Sequence, residues 1–209
     1  MNQIKNIIFD LGGVLLNLDY QLTFDLFAEL GLTDVFSKQK QTKLFDELEE
    51  GLIDQETFLD AFIQASDRDI SAKKPDILNA WNAILLDFPA ERLTLLQQVK
   101  KNYKTYLYSN TNAIHMERFH EKLILENKVQ NLDSFFDQVY FSHDLQIRKP
   151  KPEGFLKILD NHRLVASETL FIDDSIQHIQ GAKKAGLHAE WLDLEKETIH
   201  DLLNRLRLI

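Results

Sequence analysis

Hydrophobic residues along this chain fall into two kinds of run. Five are short, nearly continuous and rich in Ile, Val, Phe, Tyr or Leu: IKNIIF (4–9), KTYLYS (104–109), QVYFS (138–142), TLFID (169–173) and HAEWL (188–192). Apolar runs that do not alternate suit strands buried on both faces. The stretches between them repeat their apolar positions at helical spacing. Strands separated by helices predict right-handed crossovers and a parallel sheet covered by helices, an α/β doubly wound fold.

The first interval breaks the rhythm. About ninety residues separate IKNIIF from KTYLYS, far more than one crossover helix needs. Four amphipathic helices are predicted there: YQLTFDLFAELG, closed by Gly31; KQTKLFDELEEG, ending at Gly51; DQETFLDAFIQA, with Asp54 as N-cap and Glu56 in its first turn; and DILNAWNAILL, with Ile77, Trp81 and Leu85 at i, i+4 and i+8. Residues 17–85 are therefore expected to form a helical cap domain, inserted into a core domain made of 1–16 and 86–209. PAERLTLLQQVKK, with Pro89 in the first turn, is the expected crossover into KTYLYS. EKETIHDLLNRLRLI should close the chain as a helix packing Ile199, Leu202, Leu203 and Leu206 on the core, with Arg205 and Arg207 outward.

Composition narrows the function. The 209 residues are 44% hydrophobic and 27% charged, as expected for one sizeable globular core. Acidic residues exceed basic ones, 33 against 24, for a formal charge of −9. That balance disfavours a general grip on nucleic acid or anionic lipid and favours small-molecule partners. Cysteine is absent, which excludes disulfides, thiolate metal sites and cysteine nucleophiles. The N-terminal apolar run is interrupted early by Asp10, unlike a signal peptide, and no run is long enough to span a membrane. A cytoplasmic monomer or homodimer, with no nucleic-acid or membrane partner, is the expectation.

Ligands of open parallel sheets bind beyond the carboxyl ends of the strands. Those ends carry Asp10, then Ser109-Asn110-Thr111-Asn112, then Lys149 within HDLQIRKPKP, then Asp173-Asp174. Together they suit phosphoryl chemistry. An aspartate can attack phosphorus and form an aspartyl-phosphate, carboxylate oxygens favour Mg2+, Ser109 and nearby N–H groups can hold phosphate oxygens, and Lys149 can offset negative charge. Each part alone has a plainer reading. A lone strand-end acid is usually a turn or cap, Ser109 to Asn112 is a natural helix N-cap, Lys149 could be a solvated loop lysine, and Asp173-Asp174-Ser175 could cap the next helix. His115 and His120 are too poorly spaced to pair on one helix face, His143 is expected to be a solvated loop residue, His178 a surface residue and Trp81 cap core.

In their order, FDLGGVL, LYSNTN, RKPKP and LFIDDS resemble the four motifs of the haloacid dehalogenase superfamily, and the resemblance covers the whole chain. It implies a Rossmann-like core with a helical cap inserted after the first motif, and hydrolysis of a small phosphorylated metabolite with Mg2+ as cofactor. Asp10 would be nucleophile and metal ligand, the Gly12 carbonyl a further ligand, and Asp174 a direct ligand with Asp173 direct or water-mediated. Ser109 and Asn110 would hold phosphate, and Lys149 would bridge nucleophile and phosphate. The chain most resembles the bacterial subgroup that includes α-D-glucose-1-phosphate phosphatase.

Gly12 departs from the superfamily pattern, in which an aspartate usually serves there as general acid and base. Another group could substitute, the substrate could have an acidic leaving group such as an anomeric hydroxyl, or turnover could be lost and a binding protein remain. The leaving-group reading predicts faster hydrolysis of sugar 1-phosphates than of 6-phosphates. Metal-independent dehalogenation is the weaker enzymatic alternative.

Overall fold

In the computed structural model, residues 4–32, 43–64 and 74–209 are described. The five apolar runs become β1 (Asn6–Phe9), β2 (Lys104–Ser109), β3 (Gln138–Phe141), β4 (Thr169–Asp173) and β5 (His188–Trp191). All pair in parallel, in the order β3-β2-β1-β4-β5. From the central β1 the chain fills one side of the sheet, then crosses to build the other. A crevice is thereby left at the carboxyl ends beside β1.

Strand side chains alternate between two cores. Ile7, Phe9, Leu107, Leu170 and Ile172 face one cluster, while Ile8, Tyr106, Tyr108 and Phe171 face the other. Both faces are apolar because both are covered, which explains why the strand sequences do not alternate. The chain contributes α5 (Ala90–Val99), α6 (Ala113–Asn127), α7 (Ser142–Leu145), α8 (Pro152–His162), α9 (Ile176–Lys184) and α10 (Ile199–Arg205) after the insertion. Pro89 occupies the N-cap of α5, one position before the first turn. In α10, Ile199, Leu202 and Leu203 are buried, and a capping box of Thr198 and Asp201 starts the helix.

The insertion supplies α1 (Tyr20–Glu29), α2 (Lys43–Glu49), α3 (Gln55–Gln64) and α4 (Lys74–Asn82). Positions 40–42 of the second predicted helix and 65 of the third lie outside the described residues. Asp54 accepts the Thr57 N–H at 2.8 Å, as an N-cap does. Phe27, Phe45, Phe58, Ile77 and Trp81 form a core for the insertion, with Phe45 and Trp81 stacked at 5.2 Å. Ile114 of α6 joins that cluster and so ties the insertion to the sheet domain.

Leu85 departs from its expected helical place. The helix stops at Asn82, and Leu85 instead makes an antiparallel bridge with Leu18. The two connections between insertion and sheet lie side by side here: Asn17 N–H donates to Asp87 O, Leu86 N–H to Asn17 O and Asp19 N–H to Ile84 O, at 2.9–3.0 Å. An apolar residue at i+8 satisfies a helical pattern equally well when it packs on the neighbouring core, as Leu85 does.

Candidate active site

β1 places Asp10 at the crevice, where its N–H donates to Ile172 O at 2.9 Å and its side chain is 9% exposed. The Lys149 side chain is fully buried, and its Nζ donates to Asp10 Oδ1 and Asp173 Oδ2, both at 2.6 Å. The rings of Tyr108 and Phe171 flank the ammonium, with centroids 5.6 and 5.3 Å away. Asn110 sets the lysine's backbone: its Oδ1 accepts the Lys149 N–H at 2.8 Å and its Nδ2 donates to the Lys149 carbonyl at 2.9 Å. A second clasp joins the same loops, because Ser142 Oγ donates to Thr111 O and accepts the Thr111 N–H, each at 2.9 Å. Ser109 ends β2 with its side chain buried, and the N-cap of α6 is Asn112, which accepts the His115 N–H.

The sequence places a second pair of acids at the end of β4. Asp173 is completely buried, Asp174 is partly so, and one oxygen from each of Asp10, Asp173 and Asp174 lies within 4.8 Å of the others. Gly13 makes room for this grouping: it adopts φ +75°, and a Cβ there would overlap the Asp174 carboxylate. Gly12 has no such positive φ. A Cβ at position 12 would stand 2.7 Å from Leu18 Cδ1, so Leu18 fills the space beside Gly12.

The charges do not balance within the protein. Burial, followed by the Asp173 carboxylate, raises Asp10 above the usual carboxylate range against the pull of Lys149. Burial, then Asp10 and Asp173, push Asp174 up to about 7. Burial also opposes ionisation of Asp173, but Lys149 and His178 outweigh it and hold that carboxyl below its ordinary value. Burial would lower Lys149, yet Asp10 and Asp173 keep its ammonium above the normal lysine range. One ammonium facing three carboxyls leaves a deficit of positive charge with oxygen donors only, a donor set suited to a hard divalent cation.

Several partners escaped the sequence reading. His178 is not a surface bystander: its Nδ1 lies 2.9 Å from Asp173 Oδ2 and 3.0 Å from Oδ1. It is the third residue of α9, where a side chain folds back over the helix start, and that position was the available signal. His143 is not solvated either, since its side chain is 8% exposed, stacks on Phe141 and approaches Thr111 O. Arg148 donates to Glu49 Oε2 at 2.8 Å and to Asp46 Oδ1 at 2.6 Å, so α2 is anchored beside the loop that carries Lys149. Lys151 pairs with Glu50 on the same helix end. A cavity of about 360 Å³ lies between strand ends and insertion, bounded by Gly12, Ser109 and Asn110 below and by Thr23, Glu49 and Trp81 above.

An aspartate at a strand end facing a buried lysine and paired acids, beneath an inserted helical layer, is a layout suited to a hydrolase on a Rossmann-like sheet. The chain belongs to the haloacid dehalogenase-like hydrolase family, which it matches over residues 4–186. It is 32% identical over 187 residues to D-ribitol-5-phosphate phosphatase of Bacteroides thetaiotaomicron, spanning 88% of this chain and 89% of that one. It is 31% identical over 119 residues to glyceraldehyde 3-phosphate phosphatase of Pyrococcus furiosus, spanning 56% of this chain and 47% of the relative. A wild-type HAD family enzyme of Bacteroides thetaiotaomicron, solved with magnesium and inorganic phosphate, is 30% identical with a TM-score of 0.80 over 94% of this chain and 98% of that one. Among the described residues, no helix is long and apolar enough to cross a membrane.

Proposed function

We propose that the chain is a Mg2+-dependent phosphatase that cleaves a small sugar or polyol phosphate through an aspartyl-phosphate on Asp10. The observation that carries this reading is Lys149, buried and bonded at 2.6 Å to both Asp10 and Asp173 within the three-carboxylate cluster. A structural ion pair rarely needs three buried or half-buried acids around one lysine, whereas a site for transferring an anionic group does. The resemblance to phosphatases, one over most of the chain, supports the same chemistry.

Asp10 would attack phosphorus with a carboxylate oxygen as the bond from phosphorus to the ester oxygen breaks and that oxygen leaves, taking up a proton, as the alcohol; water would then cleave the aspartyl-phosphate, releasing phosphate and restoring the Asp10 carboxylate. Asp10, Asp173, Asp174 and the Gly12 carbonyl would hold Mg2+, which when bound offsets charge on phosphate and nucleophile. Ser109 would hydrogen-bond a phosphate oxygen through its hydroxyl. The Asn110 amide is committed to the Lys149 backbone, so its share in phosphate binding falls to its own N–H. Lys149 would orient Asp10 and neutralise the transferred group, and the helical insertion would act as a cap that excludes water during the covalent step.

D-ribitol 5-phosphate and glyceraldehyde 3-phosphate, named in the relatives, are esters of primary alcohols, which are poor leaving groups. This favours a polyol or sugar ester of that kind over an anomeric phosphate. A non-catalytic phosphate-ester binder is the second reading, favoured only by the missing side chain at Gly12. Hydrolysis of p-nitrophenyl phosphate and a panel of alkyl phosphates, with and without Mg2+, separates the two. Turnover should need the metal and fall by about 10³-fold or more in Asp10→Asn. Binding of the panel without turnover would establish the second reading instead.

A further inference from the structure

Resting on the phosphatase reading, we propose that Thr23 and Glu49 form a subsite that selects an uncharged, polyhydroxylated leaving group and rejects esters carrying a second anion. Both residues come from the insertion and line the cavity that ends at Gly12, Ser109 and Asn110. Its volume, about 360 Å³, is at the low end for ligand sites and suits a short metabolite.

The Thr23 hydroxyl is fully buried and has no hydrogen-bond partner. A helical threonine ordinarily satisfies its hydroxyl on the carbonyl one turn back, and a buried hydroxyl left unpaired costs about 1–3 kcal/mol. A substrate hydroxyl, both donor and acceptor, is the partner such a group lacks. Glu49 has a side chain 19% exposed, and Arg148 binds it through Oε2 alone, at 2.7–2.8 Å. Oε1 remains as an acceptor for a second substrate hydroxyl.

Charge adds discrimination to hydrogen bonding. No lysine or arginine lines the cavity among the described residues, and the guanidinium of Arg148, bound to the lining residue Glu49, is shared with Asp46. A carboxylate or second phosphate on the leaving group would meet the Glu49 carboxylate with no compensating cation. The apolar wall, including Phe45, Trp81 and Ile84, offers surface for the carbon chain. A neutral polyol fits both surfaces.

The test compares kcat/KM for D-ribitol 5-phosphate with that for p-nitrophenyl phosphate, whose leaving group carries no alcohol hydroxyls, and with that for glycerate 3-phosphate. In the wild type the ribitol ester should exceed the glycerate ester at least tenfold. Thr23→Val should lower the ribitol-to-aryl ratio about tenfold, the value of one hydrogen bond, through KM, and Thr23→Ser should restore it. Glu49→Gln, which keeps an acceptor but removes the charge, should narrow the ribitol-to-glycerate ratio. Ratios unchanged in Thr23→Val and Glu49→Gln, or equal use of both esters by the wild type, would overturn the subsite while leaving Mg2+-dependent aryl turnover in place. Absence of that aryl turnover would overturn the phosphatase reading and this inference with it.

Discussion

Leu18 stands where the side chain of residue 12 would project, with Cδ1 2.7 Å from the ideal Cβ position. Introducing aspartate there pushes on the movable end of a side chain rather than on backbone, so Gly12→Asp should be tolerated at about 1–3 kcal/mol, and Gly12→Asp with Leu18→Ala at less. The double variant is expected to speed alkyl phosphate hydrolysis about tenfold more than aryl phosphate hydrolysis, because only the alkoxide leaving group needs a proton. Steady-state rates on paired alkyl and aryl esters check this; equal effects would mean that another group already supplies the proton. Single residues also mark where sequence falls short. Asp10, Ser109, Lys149 and the paired acids were legible because each ends a strand or sits in the loop beyond one. Arg148 and Leu18 were not, since their contacts are an inter-element pair and a filled space that no spacing rule encodes, whereas His178 carried a positional signal at the start of α9 that its surface reading passed over.

Between elements, the decisive contact is α2 against the loop that carries Lys149. Arg148 holds Asp46 and Glu49, Lys151 holds Glu50, and a Cβ at Gly51 would overlap the His143 carbonyl. Arg148→Ala leaves Glu49 half-desolvated without its cation and should cost about 2 kcal/mol of docking. Hydrogen exchange should quicken in 43–49 while β1 and β4 stay protected, and KM should rise; unchanged exchange in α2 would show that the apolar contacts suffice. Strands were read well from sequence because buried parallel strands are continuously apolar, whereas Leu85 shows how a helical period runs on past a helix end into a bridge.

Across the whole molecule, insertion and sheet domain share one buried titratable group. His115 of α6 stacks on Trp81 at 4.8 Å and lies 3.0 Å from the Trp81 carbonyl through Nε2. Burial lowers its imidazole from 6.5 to about 4, so the fold favours the neutral ring. Its stabilisation is complete above pH 6.5 and is lost as the pH falls towards 4, by no more than about 3 kcal/mol. Urea unfolding of wild type and His115→Gln across that window should therefore converge as pH falls; parallel curves would refute the role.

The strand order β3-β2-β1-β4-β5 also governs how the chain is made. During synthesis, β1, β2 and β3 are available well before β4, so the central strand spends that interval as an open edge able to pair with another chain. Asp10 waits over the same interval, because Lys149 and Asp173 lie 139 and 163 residues downstream. Insertion of β4 seals the edge and delivers Asp173 in one event. A nascent or truncated chain without β4 thus has both an open strand edge and an incomplete carboxylate cluster, and the arrival of β4 ends both together.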